Sequence, residues 1–282
     1  MNLQTPVSLE PAPVSLSYQD RIAVLGSCFA DEIGGRLAAA GFKVLCNPFG
    51  VLYNPVSIGN AVARLASGVP FTEDDVVEMG AGAGRFCSFS HHTSFARETP
   101  EAFLENANRA LEAASAFWKD CNRVIVTLGT AWAFRYDATG ETVSNCLKRP
   151  AAEFSRYRLS VAQTSAILLG LVQRHPGKRF IFTVSPVRHL ADGAHGNQLS
   201  KSTLLLATEG LPYFPAYEIM MDELRDYRWW AEDMVHPTKQ AAAYLCDRFI
   251  EWALPTREWD LYESRMKEWR RAQHRPFYSS EG

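Results

Sequence analysis

Hydrophobic and polar positions along this chain of 282 residues fall into two patterns that alternate. Short apolar runs stand at 21–26 ("RIAVLG"), 43–48 ("KVLCNP"), 123–130 ("RVIVTLGT") and 179–186 ("RFIFTVSP"). They are β-branched, end at Gly or Pro and show little polar alternation, which predicts strands buried on both faces of a parallel sheet. Between them, apolar residues recur at helical spacing over 29–42, 56–68, 99–121, 160–174, 199–208, 238–253 and 257–272. The best-punctuated helix is 99–121, with Thr99 as cap, Pro100 in the first position and Glu101 in the first turn. Gly41 and Gly68 predict helix ends, and 131–145 reads as a hairpin turning over Asp137–Gly140. The alternation predicts an α/β protein, a three-layer α/β/α sandwich on a mostly parallel sheet.

No internal repeat or linker divides the sequence, so 1–282 is expected to be one domain. Residues 1–20 read as an N-terminal arm, and 69–98 as an insertion or lid. The glycines of "GAGAG" at 80–84 have neither the strand–helix context nor the Lys-Ser/Thr that a phosphate loop needs.

Composition narrows the function further. Hydrophobic residues make up 47% and aromatics 12%, enough to fill a sizeable core. A net charge of −2 without a basic cluster argues against nucleic acid or an anionic membrane as partner. The first twenty residues lack a basic segment followed by an apolar one, and "AILLGLV" at 166–172 is too short to span a bilayer. The expected location is therefore cytoplasmic. The six cysteines, Cys28, Cys46, Cys87, Cys121, Cys146 and Cys246, have no paired spacing, so buried thiols are expected rather than a disulfide framework or a structural zinc site. No metal or cofactor is expected.

Candidate chemistry begins where the first strand ends, in "IAVLGSCFA" at 22–30. Open α/β sheets collect their sites at the carboxyl ends of the strands, beside helix N-termini. Ser27 stands at such an end, but a serine needs a base and a group to orient that base. "AEDMVHPT" at 231–238 offers both: Asp233 and His236 are three residues apart, a spacing at which one turn brings them together, and Pro237 suits the start of the next helix. Neighbouring side chains at a strand end diverge, so Ser27 and Cys28 cannot both face a cleft. Cys28 is expected to be a small buried hydrophobe, with thiolate chemistry at the helix N-terminus as the rival reading.

The pentapeptide "GSCFA" at 26–30 resembles the signature of the bacterial GSCFA family, which is similar to the SGNH/GDSL hydrolases. Similar blocks stand at 47–58 ("NPFGVLYNPVSI"), 127–132 ("TLGTAW"), 185–202 ("SPVRHLADGAHGNQLSKS") and 213–237 ("YFPAYEIMMDELRDYRWWAEDMVHP"). The resemblance implies an SGNH-type, flavodoxin-like fold with Ser27 as nucleophile, His236 as base and Asp233 as its orienting acid. It also implies an oxyanion hole built from the Ser27 and Gly50 N–H groups. The third block has no asparagine where that superfamily usually carries one. Asn54, Thr130, the Trp132 indole and Asn47 are the candidate replacements.

Other residues are candidates for lining the site. One of His91 and His92 is expected at its rim, and Arg188 and His189 follow the fourth strand onto the same edge. Arg188 suits a substrate carboxylate or phosphate, or else a structural ion pair. Ser200 and Lys201 read as the start of a helix. The expectation is a serine esterase or acyltransferase acting on a small-molecule or glycan acyl ester, such as an O-acetylated sugar. A non-catalytic ligand-binding protein on the same scaffold is the alternative.

Overall fold

Four predicted strands and one more form a single parallel sheet in the computed structural model, which describes residues 5–80 and 82–273. In chain order the sheet strands are β1 (Arg21–Gly26), β2 (Lys43–Cys46), β5 (Arg123–Leu128), β9 (Arg179–Val184) and β10 (Tyr213–Phe214). Their spatial order is β10-β9-β5-β1-β2. Every pair is parallel, with Gly26 of β1 opposite Thr127 of β5.

Helices cover both faces, because the strands send apolar side chains in both directions. Ala23, Leu25, Val124, Val126, Phe180 and Phe182 face one core. That core is shared with α2 (Pro55–Ser67), α3 (Pro100–Asp120), α4 (Val161–Arg174) and α5 (Gly193–Ala207). Their alternates Ile22, Val24, Ile125, Ile181 and Phe214 face the other. There α1 (Cys28–Ala39), α7 (Lys239–Ala253) and α8 (Trp259–Gln273) pack, with the short α6 (Ala216–Glu218). Each fully buried Val, Leu, Ile or Phe contributes about 1.5–3 kcal/mol, so the two continuous cores hold the sheet between its helical layers. The chain is thus a three-layer α/β/α sandwich, as expected. Among the described residues no helix is long and apolar enough to cross a membrane.

The caps explain most helix boundaries. Thr99 accepts from the Ala102 N–H ahead of Pro100, and Gly68 ends α2 with φ +64°. The hairpin at 131–145 forms as β6 (Trp132–Tyr136) and β7 (Glu141–Val143), but a third strand, β8 (Phe154–Arg158), pairs antiparallel with β6. Its sequence, "FSRYR", is too polar to read as a strand, because the small sheet lies outside the cores. Helix α5 begins at Gly193 rather than 199, through glycines that intrinsic propensity disfavours.

The stretch before β1 is tied down. The Leu16 N–H donates to the Ala253 carbonyl at 2.9 Å, and the Val7 N–H to Glu223 Oε1 at 2.6 Å. Residues 69–98 contain a small hairpin, β3 (Val77–Glu78) and β4 (Phe86–Cys87). They pack onto the body: His91 is wholly buried against Phe49, Phe71, Phe95 and Phe103.

Candidate functional site

The first sheet connection runs from β1 through α1 to β2 on one side. The next returns across the other face to β5, on the opposite side of β1. Such a reversal opens a crevice at the carboxyl ends of the two strands it separates, here β1 and β5. Gly26 makes the turn there. It has φ +132°, donates its N–H to Asn47 Oδ1 at 2.9 Å and accepts from the Leu52 N–H at 2.8 Å. A Cβ on Gly26 would lie 2.1 Å from the Thr127 carbonyl oxygen.

The two residues after Gly26 take different roles. Ser27 is wholly buried: its N–H donates to the Thr127 carbonyl at 3.1 Å and its Oγ bonds Thr127 Oγ1 at 3.0 Å. The same Oγ caps α1 by accepting from the Phe29 N–H at 3.3 Å. Neither its hydroxyl nor its N–H is turned to a cleft, against the expectation of a nucleophile and oxyanion donor at this position. Cys28, expected behind the sheet, is instead half-buried at the first position of α1. Burial pushes its thiol pKa up, with the Asp31 carboxylate adding to the rise, against the lowering effect of the Cys28 and Phe29 backbone N–H groups.

Asp233 and His236 meet as the spacing predicted, although not on a helix. The segment is a loop in which Met234 has φ +57°. Asp233 Oδ1 accepts from the Val235 and His236 N–H groups, each at 3.0 Å, and Oδ2 bonds His236 Nδ1 at 2.6 Å. The backbone N–H of His236, then that of Val235, then the imidazole hold the Asp233 pKa down to about 2. Both side chains are about half exposed, and among the described residues the ring's far nitrogen, Nε2, has no hydrogen-bond partner. Pro237 does not open α7: it bridges to Trp230, and Thr238 is the cap. The Arg188 N–H donates to the Val235 carbonyl at 3.0 Å, tying this loop to the end of β9.

The remaining expected donors divide. Gly50 gives its N–H to the Asn47 carbonyl at 2.8 Å, and a Cβ on it would strike His92, so it is no oxyanion donor. The Thr130 N–H goes to the Tyr53 carbonyl at 3.0 Å and its Oγ1 to Ser200 Oγ at 3.0 Å, which removes it too. Asn47 is a positioning group that donates to Asp31 Oδ1 at 2.7 Å. Asn54 accepts from the Ser57 N–H at 2.9 Å as the cap of α2, and its Nδ2 has no protein partner among the described residues. The Trp132 indole N–H is buried without a partner, beneath the Arg156 guanidinium. His91 sits in the aromatic cluster, away from the strand ends, while His92 caps the following turn and lies against Gly50, its N–H donating to the Phe49 carbonyl at 2.9 Å.

His189 is there: its ring meets Tyr53 edge to face at 5.8 Å, and burial, with Lys201 adding, lowers its pKa to about 4. Lys201 is the residue that sequence reading missed. It is 1% exposed, yet its Nζ donates to the Gly129 and Ser185 carbonyls, both at 2.7 Å, joining the ends of β5 and β9. Desolvation lowers its pKa to about 7, the Arg188 charge adding to the fall and Cys28 opposing it. A lysine inside the apolar spacing of α5 was the available signal.

A cavity of about 1030 Å³ lies elsewhere, between α2, β3–β4 and the β6–β7 hairpin. Its arginines are paired, Arg64 with Asp75 at 3.2 Å and Arg149 with Glu153 at 2.6 Å. Ser88 lines it with its Oγ against His91 Nδ1 at 2.7 Å, but both residues are buried and burial draws the imidazole pKa down to about 3, which makes the ring a poor base, so the candidate site is placed at the strand ends.

Fold and site together define an α/β/α protein with an Asp–His pair and a half-buried cysteine at the carboxyl edge of its parallel sheet. A model of the GSCFA family matches residues 21–249, and the chain belongs to that family. No curated protein matches the chain.

Proposed function

We propose that this chain is an acyl hydrolase or acyltransferase that forms a covalent acyl-enzyme on Cys28, with His236 as base and Asp233 orienting it. The 2.6 Å Asp233–His236 bond, on a loop tethered to the same strand ends and with the ring's other nitrogen free, carries this reading. It is the arrangement that activates a neighbouring nucleophile in Ser–His–Asp and Cys–His enzymes. Cys28 is preferred to Ser27 because the serine is wholly buried and occupied as a cap, whereas Cys28 is only half-buried and has no such role.

The raised thiol pKa decides how Cys28 reacts. At neutral pH it holds its proton, so His236 must remove it as the sulfur attacks the carbonyl carbon. The C–S bond forms and the carbonyl electrons move to oxygen. Cys28 is the first residue of α1, and its N–H is one of the groups a helix start leaves unpaired. That N–H and Asn54 Nδ2 are the donors available to the oxyanion. Collapse breaks the bond to the leaving alcohol or thiol, which takes the proton from His236. Water or another acceptor then attacks the thioester and returns the enzyme. The O-acetyl sugar suggested by the resemblance is one member of this substrate class.

Mass spectrometry after incubation with p-nitrophenyl acetate or an acetyl thioester tests the assignment. The acetyl group is expected on Cys28 and absent from Cys28→Ala, while His236→Ala lowers turnover by about 10³-fold. Acylation mapped to Ser27, or full turnover in Cys28→Ala, overturns it.

A further inference from the structure

The strand-end crevice contains more positive charge than the protein itself neutralises. The Arg188 guanidinium has no hydrogen-bond or ion-pair partner among the described residues, and its Nε is buried. Lys201 is sealed in the sheet edge with only neutral carbonyls as partners. The nearby acids are engaged elsewhere: Asp192 with Arg156, Asp233 with His236, Asp31 with Asn47, and Glu218 with the Tyr213 hydroxyl. Buried donors and charges are normally satisfied, and an orphaned one costs about 1–3 kcal/mol or more. A structural arginine would have been given a carboxylate by the fold. This one instead follows β9 onto the edge, and its own N–H holds the loop that carries His236.

We propose that the crevice recognises a substrate bearing an anionic oxygen group, a carboxylate or a phosphate, which docks on Arg188 in front of Lys201 and beside Cys28. The acyl or leaving group of the ester in the proposed reaction carries this charge, so the inference deepens that reading and rests on it. The planar guanidinium fork suits two oxygens of one group. Lys201, fixed by two carbonyls, adds its charge behind the guanidinium as the pH falls to its pKa of about 7 and below. His189, whose buried Nε2 also lacks a partner, is neutral there and so brings no charge of its own to the crevice.

Alkylation of Cys28 tests the charge preference without requiring turnover. The thiolate attacks the CH₂ carbon, a C–S bond forms, iodide leaves, and the thiol proton passes to solvent. The rate with anionic iodoacetate divided by that with neutral iodoacetamide cancels the thiolate fraction. In the folded wild type this ratio is expected to exceed that of the urea-unfolded chain by about tenfold, the size of one charge-assisted contact. Arg188→Gln brings it to the unfolded value, and Arg188→Lys leaves part of it. Millimolar succinate or inorganic phosphate slows the iodoacetate reaction of the wild type, and the better competitor tells a carboxylate from a phosphate site. This arm also stands if Arg188→Gln does not fold. A wild-type ratio equal to the unfolded chain's, or one unchanged in Arg188→Gln, overturns the proposal. Absence of esterase turnover with the ratio intact overturns the catalytic reading alone.

Discussion

Replacing Gly26 by alanine tests whether the turn between β1 and α1 is as constrained as its geometry implies. The residue has φ +132°, a conformation L side chains rarely adopt, and holding alanine there costs about 1–3 kcal/mol. The new Cβ also lies 2.1 Å from the Thr127 carbonyl oxygen and 2.8 Å from Thr127 Oγ1. Neither can retreat cheaply, because that carbonyl accepts the Ser27 N–H and β5 is held in register on both sides. Losing one such buried bond costs about 1–3 kcal/mol more. A total of about 2–6 kcal/mol follows, a large part of the 5–15 kcal/mol that typically stabilises a domain. With a urea m-value of about 3 kcal/mol/M, the midpoint falls by roughly 0.7–2 M. Gly35→Ala is the control: a Cβ there meets nothing within 4 Å on an exposed helix face, so stability rises by about 0.5–1 kcal/mol. A loss below about 1 kcal/mol for Gly26→Ala would refute the reasoning, because strain and overlap together cannot be that small.

Three other perturbations probe the site and its supports. If the proposed reaction holds, Asp233→Asn, which keeps the size of the group bonded to His236 but removes its charge, is expected to lower turnover by about 10²–10⁴-fold with little change in KM; an unchanged kcat in steady-state assays contradicts the role. Lys201 has a folded pKa of about 7, well below its unfolded value, so between those values the unfolded chain binds more protons and stability rises with pH. Urea midpoints of the wild type are therefore expected to climb relative to Lys201→Met from pH 7 to 10, and parallel curves would exclude the effect. His91, with a pKa pushed down to about 3 chiefly by burial, is neutral when folded and charges only in the unfolded chain below about pH 6.5. Stability is lost as pH falls from there toward 3, and His91→Phe should move the acid-unfolding midpoint to lower pH by circular dichroism.

Much of the fold was legible because its signals are local. Apolar runs such as "RVIVTL" and "RFIFTV" have few other places to go than a buried parallel strand, and Thr99-Pro100 announces a helix start through a cap that the chain does form. The failures are tertiary. Strand β8 is polar because it belongs to a small sheet away from the cores, and its pairing with β6 comes from a register that no period reveals. The first turns of α5 run through Gly193 and Gly196, where Asp192 and Arg156 anchor the chain against its own propensity. Lys201 looked like an ordinary polar helix residue. Its place inside the apolar spacing of α5 was the one local hint of burial, and its partners exist only once β5 and β9 lie side by side with the carbonyls of Gly129 and Ser185 pointing at it.

The choice between Ser27 and Cys28 shows why the site was harder to read than the fold. Sequence spacing ties Asp233 to His236 because three residues can close one turn, whether helical or not, and the bond forms in a loop. Spacing says nothing about which of two adjacent side chains faces outward. That depends on Gly26: its positive φ swings the chain so that the next residue, Ser27, points back at Thr127 and supplies the helix cap. A serine is among the best caps available, and its preference for that role places the thiol, one position further along α1, at the edge. The same turn takes the Ser27 N–H for Thr127, while the Cys28 N–H, as the first in the helix, has no carbonyl four residues behind it. In the proposed reaction, nucleophile and oxyanion donor therefore shift together by one residue, and the consequence is measurable. Ser27→Ala should cost about 1 kcal/mol of stability through the lost cap while acylation at Cys28 persists, whereas a serine nucleophile would lose its acyl adduct in that variant.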